Sequence, residues 1–242
     1  MNILFRTDSS SQIGTGHIMR DLVLAKQYPN SNITFATREL DGNINHKIKE
    51  AGYKTGILKT NDLEELDSLV KELNIDMIII DHYSIGFDFE KQLSTLNSQP
   101  SIMVLDDTYE KHYCDILLNH NISADKKRYK NLVPKNCELR CGSKYTLLRE
   151  EFYKEKKKIK RKKQFSNPNS QISIFIAMGG ADTAKLNIPI LKILKKLDNI
   201  KVTLVTTSSN NNLNILQNYC KNKKMDQFTY RFKQNCKTYE KK

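Results

Sequence analysis

The sequence predicts an α/β fold made of two units, each a parallel sheet with helices packed on it. Short apolar runs rich in β-branched residues alternate with stretches whose apolar residues recur at helical spacing, which is the pattern of repeated strand–helix units. The same cycle begins again after a basic stretch past the middle of the chain. At 242 residues, the chain is long enough to bury the core of one large domain or two modest ones.

The first unit contains four predicted strands and two clear helical patterns. The predicted strands are the apolar runs at residues 3–5, 33–36, 77–80 and 102–105. The helical patterns consist of Ile18, Leu22 and Ala25 after the first strand, and of Leu63, Leu66, Val70 and Leu73 before the third. Residues 114–151 are less periodic, and we expect them to form a β-rich closing part of this unit.

The second unit has predicted strands at residues 172–178 and 202–206, with a helix between them and another near residues 213–219. We expect the first of these helices to place one set of apolar residues on a single face: Leu186, Ile190, Ile193, Leu194 and Leu197. The predicted domains are residues 1–153, a basic linker at 154–170, a partial second domain at 171–225, and a basic tail at 226–242.

The formal net charge of +13 favours an anionic partner, which could be nucleic acid, an acidic membrane surface or a phosphorylated small molecule. Much of the excess lies in KEKKKIKRKK at residues 154–163, the pattern of a solvated linker. The sequence contains no interleaved aromatic platform and no recognisable nucleic-acid motif. No run approaches membrane-spanning length and no leader precedes the first strand, so we expect a cytoplasmic protein.

The five cysteines do not form the pattern of a disulfide framework, and we expect reduced thiols. One group of cysteines and histidines could in principle bind a soft metal: His112, Cys114, His120, Cys137 and Cys141. Its spacing matches no standard zinc pattern, so we interpret these as ordinary buried or surface residues.

The first predicted strand runs into DSSSQIGTGH, a loop rich in serine and glycine that opens the first helix. Glycine lets a backbone approach a ligand closely, and free amides at a helix start favour negative charge. The dinucleotide fingerprint does not fit, because Met19 stands where a third glycine should follow Gly14 and Gly16. The loop therefore predicts a ligand contact other than NAD.

His17 follows this loop directly, and Arg20 lies one helical turn further along. A histidine at a helix start, on the carboxyl edge of a parallel sheet, lies where open α/β sheets bind ligands. The positive end of the helix dipole favours its neutral form, which a general base requires. The alternative is a histidine that only caps or packs the helix.

Polar residues follow two of the predicted strands. Asp81, His82 and Tyr83 come after the third strand, and Asp106 and Asp107 after the fourth. Because the carboxyl ends of parallel strands share an edge, we expect these side chains to point toward the crevice of the predicted base, although such residues also form turns and caps. No further acidic cluster completes an oxygen cage, so we expect no metal and no cofactor.

In the second unit, Gly179, Gly180 and Asp182 lie between a predicted strand and a predicted helix. Paired glycines at such a turn predict a phosphate cradle, with Asp182 or Asn187 capping the helix, and a plain turn is the alternative. Together with the first glycine loop, this turn would line an interdomain cleft, the usual place for a nucleotide-sugar.

Five segments carry a resemblance to a known family: LFRTDSSSQIGTGHIMRDLVLAKQY, IIIDHY, DILLN, RCGSKYTLLREEFY and IFIAMGGADTAKLN. Together they resemble the UDP-2,4-diacetamido-2,4,6-trideoxy-β-L-altropyranose hydrolases of pseudaminic acid biosynthesis, a pathway linked to flagellin glycosylation. The resemblance extends from Asn2 to about Lys224. It implies a GT-B fold, similar to the transferase that adds N-acetylglucosamine to the peptidoglycan lipid precursor, with two Rossmann-type lobes around a cleft.

The resemblance also implies a reaction in which water attacks the anomeric carbon of a UDP-sugar with inversion and UDP leaves. By this resemblance His17 activates the water and Tyr83 lines the sugar site. Gly179, Gly180 and Asp182 match the motif that meets the nucleotide diphosphate. The predicted substrate-binding set is completed by Gly14, Gly16, Arg20 and Asp81.

From about Asp226 the chain departs from the family pattern, and we expect a frameshifted tail without an apolar strand. The second lobe would then be truncated, with an unpaired sheet edge and low activity. Two other functions stay open: a GT-B transferase with a sugar or lipid acceptor, and a basic nucleic-acid-binding protein. The expected partner is a UDP-sugar rather than nucleic acid or membrane, and the oligomeric state is left open.

Overall fold

The structure is a computed structural model that describes residues 1–96, 99–158, 171–179, 182–207, 210–221 and 228–233. It consists of two compact units, Met1–Lys158 and Ile159–Lys242. Each unit contains a parallel β-sheet with helices. None of the helices in these described ranges is both long enough and apolar enough to cross a lipid bilayer.

The first unit is built on a seven-stranded parallel sheet. Its strands are β1 (Asn2–Thr7), β2 (Asn32–Arg38), β3 (Lys54–Leu58), β4 (Met77–Asp81), β5 (Ser101–Leu105), β6 (Ile116–Asn119) and β7 (Glu138–Cys141). They are arranged in the order β3-β2-β1-β4-β5-β6-β7. The strand order reverses between β1 and β4, and ligands of open α/β sheets bind at the carboxyl ends of strands at such a switch point.

Helices connect most of these strands. They are α1 (Gly16–Ala25), α2 (His46–Glu50), α3 (Leu63–Glu72), α4 (Phe87–Leu93) and α5 (Glu150–Lys158). Two short 3-10 helices lie at Lys126–Tyr129 and Ser143–Tyr145. The stretch at 114–151 adds β6 and β7 to the sheet but otherwise consists largely of turns, so it is less β-rich than the sequence suggested.

Apolar side chains cover both faces of the large sheet, as expected for parallel strands. Neighbouring residues of β1 alternate between two separate core clusters, with Leu4 in one and Ile3 and Phe5 in the other. Phe5 stacks on Phe35 of β2 with ring centroids 4.8 Å apart, and α1 packs Ile18 against the same face. Each such fully buried side chain contributes about 1.5–3 kcal/mol, which fixes α1 and the end of β1 in place.

The second unit contains a three-stranded parallel sheet. Its strands are β8 (Ile172–Ala177), β9 (Ile200–Thr207) and β10 (Phe228–Lys233), in the order β10-β9-β8, and its helices are α6 (Asn187–Leu194) and α7 (Leu213–Lys221). We expected no apolar strand in the tail, but Phe228–Lys233 form β10, a strand of alternating aromatic and polar residues that pairs in parallel with β9. Aromatic residues at every second position of FTYRFK give the strand its period, although the intervening residues are polar.

The predicted apolar face of α6 is also wrong in detail. Leu191 is fully buried, whereas Leu186, Ile193 and Leu197 are exposed. The helix ends at Leu194, so Leu197 does not belong to it, and the face that meets the sheet is the one centred on Leu191.

Candidate active site

The candidate site lies at the switch point of the first unit, where β1 leads into α1 and β4 ends beside it. Hydroxyl groups hold the connecting loop in shape. Ser10 Oγ accepts the backbone N–H groups of Gln12 and Ile13 at 3.1 and 2.9 Å, and Ser9 Oγ accepts that of Ile44 at 2.9 Å. The serine hydroxyls therefore stabilise the backbone of the loop. Gly14 lies at the end of the loop with a φ of +86°, a conformation that favours glycine.

The N-terminus of α1 is open to a ligand. Among the described residues, no side chain caps it at Thr15, and its first turn carries no acidic residue. A Cβ atom added at Gly16, the first residue of the helix, would meet no atom of the described residues within 4 Å. Free amides and the helix dipole make this end favourable for negative charge, and the glycine leaves room for a ligand to approach the backbone.

His17 is buried at the start of α1, and one hydrogen bond determines which ring nitrogen carries its proton. Its Nδ1 lies 3.1 Å from the backbone carbonyl oxygen of Asp81, at the end of β4. A carbonyl oxygen can only accept, so Nδ1 carries the hydrogen and donates it. In the neutral ring Nε2 is then unprotonated and has a lone pair that can accept a proton.

The surroundings of His17 keep this ring neutral. Burial lowers the pKa of His17 below its usual value, and the positive charge of Arg20 acts in the same direction. The carboxylate of Asp81 opposes this, but its nearest oxygen is 3.8 Å from Nδ1. The imidazole is therefore neutral near pH 7, which is the form that its position at the helix start was expected to favour.

Arg20 lies one turn after His17 on α1 and links the ends of β4 and β5. Its guanidinium donates two hydrogen bonds to the Asp81 carboxylate and a third, of 3.0 Å, to Asp107 Oδ2. Although burial works against its charge, the two carboxylates raise the pKa of Arg20. The charges of Arg20 and Asp81 thus face each other, and the pair holds the carbonyl group that orients His17.

Tyr83 lies over His17 at the surface of the site. The two rings meet edge to face with centroids 4.7 Å apart, and 66% of Tyr83 is exposed. Its hydroxyl donates toward the two carboxylate oxygens of Asp107, at 3.2 and 3.3 Å. Burial and the nearby Asp107 charge raise the pKa of Tyr83, so the phenol stays protonated. Asp107 therefore holds both Arg20 and Tyr83.

Asp21 lies beneath this group and is fully buried. Its carboxyl is close to the Thr7 hydroxyl and the Asp81 carboxylate, but neither of its oxygens makes a hydrogen bond of standard geometry within the described ranges. Burial raises the pKa of Asp21 well above its usual value, and the Asp81 charge adds to this effect. A neutral carboxylic acid is the form that this environment favours.

Two of the strand-end side chains are held by residues other than His17, Arg20 and Tyr83. His82 Nε2 lies 3.1 Å from Asp8 Oδ2, while its Nδ1 accepts the backbone N–H of Ser84. Asp106 accepts hydrogen bonds from the hydroxyl groups of Tyr129 and Thr108. The expectation that all five strand-end side chains share one crevice is therefore wrong for His82 and Asp106, which tie loops to the sheet.

A buried ionic centre that the sequence reasoning missed lies next to the glycine loop. Asp8 is fully buried, accepts two 3.0 Å hydrogen bonds from Arg6, and accepts two more of 2.8 Å from Arg38. Burial alone would raise the pKa of Asp8, but the hydrogen bonds from His82 and Arg6 lower it strongly. The sequence does contain a signal for this centre: Arg6 lies in an apolar strand, and a buried cation requires a nearby anion.

In the second unit, the glycine turn follows β8. Gly179 has a φ of +70°, which favours glycine, and Gly180 lies outside the described residues. Asp182 is buried, and its carboxylate accepts the backbone N–H groups of Leu186 and Asn187 at 2.9 and 3.1 Å. Asp182, and not Asn187, therefore caps α6. The N–H groups of Leu186 and Asn187 at the helix start already donate to its carboxylate.

Apart from Asp21, the carboxylates in and beside the site are paired with cations. Arg20 binds Asp81 and Asp107, and Arg6 and Arg38 bind Asp8. Over the described ranges, the structure contains no group of three or more histidine, cysteine or acidic residues that could hold a metal ion.

Comparison with known proteins gives relatives in sequence and in structure. No family model matches the chain. It is 45% identical over 221 residues to the UDP-2,4-diacetamido-2,4,6-trideoxy-beta-L-altropyranose hydrolase of Campylobacter jejuni, an alignment that covers 91% of this chain and 75% of that protein. It is 32% identical over 212 residues to the uncharacterized protein MJ1062 of Methanocaldococcus jannaschii, covering 84% of this chain but only 42% of that protein.

Among solved structures, the chain is similar to MurG of Acinetobacter baumannii, with a TM-score of 0.54, 11% identity, and coverage of 96% of this chain and 66% of that chain. A glycosyltransferase of Rickettsia africae gives a TM-score of 0.52 and 11% identity, covering 97% of this chain and 68% of that chain. At this identity the likeness concerns the fold, which is of the GT-B glycosyltransferase type. The sequence relationship goes further: the chain belongs to the family of the UDP-2,4-diacetamido-2,4,6-trideoxy-beta-L-altropyranose hydrolases.

Proposed function

We propose that this protein hydrolyses a UDP-linked diacetamido-trideoxy sugar, releasing UDP and the free sugar. The Campylobacter jejuni relative carries the name of that activity, and the chain covers three quarters of its length. Within this proposal, the free sugar serves pseudaminic acid biosynthesis and, through it, flagellin glycosylation.

The single observation that carries the proposal is the orientation of His17. Its Nδ1–H is committed to the Asp81 carbonyl, which leaves Nε2 as the basic nitrogen of a neutral ring. A buried imidazole fixed in one tautomer is a suitable base for a water molecule, because it needs no reorientation before it accepts a proton.

In the proposed reaction, His17 Nε2 takes a proton from water as the water oxygen attacks the anomeric carbon. The bond between that carbon and the UDP oxygen breaks on the opposite side, and its electron pair leaves with UDP. The configuration at the anomeric carbon is inverted, and His17 then returns its proton to solvent. No covalent intermediate on the protein is required.

The open N-terminus of α1 suits the anionic part of the substrate. Its uncapped amides favour negative charge, which increases on UDP as the glycosidic bond breaks. We assign Gly14, Gly16 and Tyr83 to substrate contact. Arg20 and Asp81 position His17, since each is paired with the other.

The experiment compares two histidines that both begin helices. His17→Ala should lower the turnover of the UDP-sugar by roughly 10²–10⁴-fold, the range for a lost general base. His46→Ala is the matched control, because His46 is exposed at the start of α2 and should leave turnover unchanged. UDP release is measured in buffer without any added acceptor, and circular dichroism checks that both variants fold.

Near-normal turnover by His17→Ala would overturn the proposed base. UDP release that appears only after a sugar or lipid acceptor is added would favour a transferase, the activity associated with the structurally similar proteins. Release of UDP and free sugar by the parent chain in plain buffer supports hydrolysis.

A further inference from the structure

Two cysteine thiols lie side by side at the amino-terminal ends of the strands, whereas His17 lies at the carboxyl ends. Cys114 Sγ and Cys137 Sγ are 3.7 Å apart, although the residues are 23 positions apart in the chain. Both precede strands, Cys114 before β6 and Cys137 before β7. These two strands pair in parallel, with Ile116 opposite Glu138.

The backbone around the two thiols is fixed by the sheet. The N–H group of Glu138 donates to the carbonyl oxygen of Asp115 at 2.7 Å, which joins the two residues that directly follow the cysteines. The Asp115 carboxylate accepts the N–H group of Ile102 at 2.8 Å. The closeness of the two sulfur atoms is therefore set by strand pairing and does not depend on a mobile loop.

The two thiols differ in their surroundings. Cys114 is buried, whereas Cys137 is only partly buried. The hydrogen bond from Cys114 lowers the pKa of Cys137, and the backbone N–H of Leu117 acts in the same direction. The same contact, together with burial, raises the pKa of Cys114. Cys137 is thus the more reactive sulfur, and Cys114 is a neighbour that retains its proton.

A small cavity adjoins Cys114, next to its contact with Cys137. It has a volume of about 50 Å³ and is lined in part by Cys114, Tyr113 and Pro134. This is enough for a molecule the size of water or hydrogen peroxide, since a liquid water occupies about 30 Å³.

We propose that Cys114 and Cys137 form a reversible disulfide when the protein meets a peroxide. Peroxide transfers one oxygen atom to the Cys137 thiolate, giving a sulfenic acid and hydroxide. The Cys114 sulfur then displaces the hydroxyl group and the sulfur–sulfur bond forms. In sum, two thiols and one hydrogen peroxide give one disulfide and two waters.

The disulfide would link the beginnings of β6 and β7 and close a loop that spans the 3-10 helix Lys126–Tyr129. Such a link restricts the unfolded chain and should stabilise this end of the sheet. The thiols precede their strands whereas His17 lies beyond the carboxyl end of β1, and four to five strand residues span about 15 Å. We therefore expect the oxidised protein to be more stable but similarly active.

The test uses the full reduced chain, treated with a slight excess of hydrogen peroxide and then with an alkylating reagent. Peptide mass mapping should recover Cys114 linked to Cys137, and the other three cysteines should be alkylated. The melting temperature should rise by several degrees and return to the starting value after dithiothreitol. Because these readouts are covalent mapping and melting, the result is independent of the proposed hydrolysis.

Two variants sharpen the test. Cys137→Ser should abolish both the linked peptide and the rise in melting temperature. Cys141→Ser is the matched control, because Cys141 is also partly buried, at the other end of β7, and should behave like the parent. The proposal is overturned if Cys137 ends as a sulfinic acid while Cys114 stays alkylatable, or if Cys114 pairs with another cysteine.

Discussion

The imidazole of His17 has two nitrogens with different tasks, and its neighbours assign them. Nδ1 donates to the Asp81 carbonyl, and Asp81 is itself held by Arg20 through its carboxylate. The carboxylate and the carbonyl group of Asp81 thus control both the position and the tautomer of the proposed base. Because the base depends on this arrangement, its effect on activity should be visible in the pH dependence.

We predict that kcat/KM for the UDP-sugar falls as the pH drops through a value below 6.5, the usual pKa of histidine. Burial lowers the pKa of His17, so the ring stays unprotonated and basic down to that lower pH. The measurement is the pH profile of kcat/KM from pH 4.5 to 8. An acid limb centred above 6.5 would contradict the assignment.

His120 provides a control for this profile. Burial and the Arg20 charge also lower the pKa of His120, so this histidine could titrate in the same range as His17. We expect His120→Gln to retain the acid limb at the same pH, because its ring makes no hydrogen bond that orients the base. Loss of the acid limb in that variant would show that protonation of His120, and not of His17, lowers kcat/KM.

Asp107→Asn should lower kcat/KM by about 5- to 30-fold. Hydrogen bonds to charged groups contribute about 1.5–3 kcal/mol, or about 10- to 150-fold, and the partial solvation of this site reduces that effect. The change weakens the bonds of Asp107 to Arg20 and Tyr83. Glu110→Gln is a matched control, since it removes the same charge from an exposed residue nearby. In a Tyr83→Phe background, Asp107→Asn should lower kcat/KM by a smaller factor. If the effects of the two substitutions on kcat/KM were fully additive, the two residues would act independently.

Individual site residues were predictable where local sequence determines position. His17 follows a glycine loop, and Asp81, Tyr83 and Asp107 follow apolar strands, so the strand-end rule places them correctly. The same rule fails for His82 and Asp106, because their orientation depends on Asp8 and Tyr129, which are distant in the chain. Spacing cannot reveal such partners.

At the scale of elements, a buried histidine connects α4 to the loop after β5. His112 Nδ1 lies 2.7 Å from Glu90 Oε1 on α4, and its Nε2 lies 3.8 Å from Asp106 Oδ1. Although burial alone would lower it, the Asp106 and Glu90 carboxylates raise the pKa of His112 to about 9. The protonated ring therefore joins two elements through two carboxylates.

The free energy of unfolding should consequently decrease as the pH rises from 6.5 to about 9. Below 6.5 the ring is protonated in both states and its stabilisation is complete, and above 9 it is neutral in both and the stabilisation is lost. The size is of the order of a few kcal/mol, from the shift of the pKa. Urea denaturation at several pH values measures it.

His112→Gln should be less stable at pH 6.5 and should lose most of this pH dependence. His46→Gln, an exposed histidine on α2, is the control and should keep the dependence of the parent. A parent protein whose stability is constant between pH 6.5 and 9 would show that the ring is not protonated in the folded state.

The strands that the sequence predicted are those in which nearly every residue is buried. β4 and β5 are apolar β-branched runs, because both faces of the sheet are covered. The edge strands β3 and β7 were missed because KTGIL and ELRC are short and half polar. β10 was missed for the same reason, since its aromatic residues alternate with threonine, arginine and lysine.

For the whole molecule, the decisive feature is the order of the strands in the large sheet. It places β4 beside β1, so that Asp81 meets His17 although 64 positions separate them. Tandem strand–helix units predict a parallel sheet but not which strands are neighbours, because strand order depends on packing among distant elements. The sequence could therefore predict two α/β units and a site at a sheet edge, but not the contact that orients the base.

The central claim is that water, activated by His17, attacks carbon and not phosphorus. The most direct measurement is hydrolysis of the UDP-sugar in water enriched in ¹⁸O, followed by mass spectrometry of the nucleotide, because a free sugar can exchange its anomeric oxygen with solvent. We predict that the nucleotide product is UDP without ¹⁸O, since its bridging oxygen comes from the substrate. UDP that carries ¹⁸O, or UMP with a sugar 1-phosphate, would place the attack on phosphorus and contradict the account.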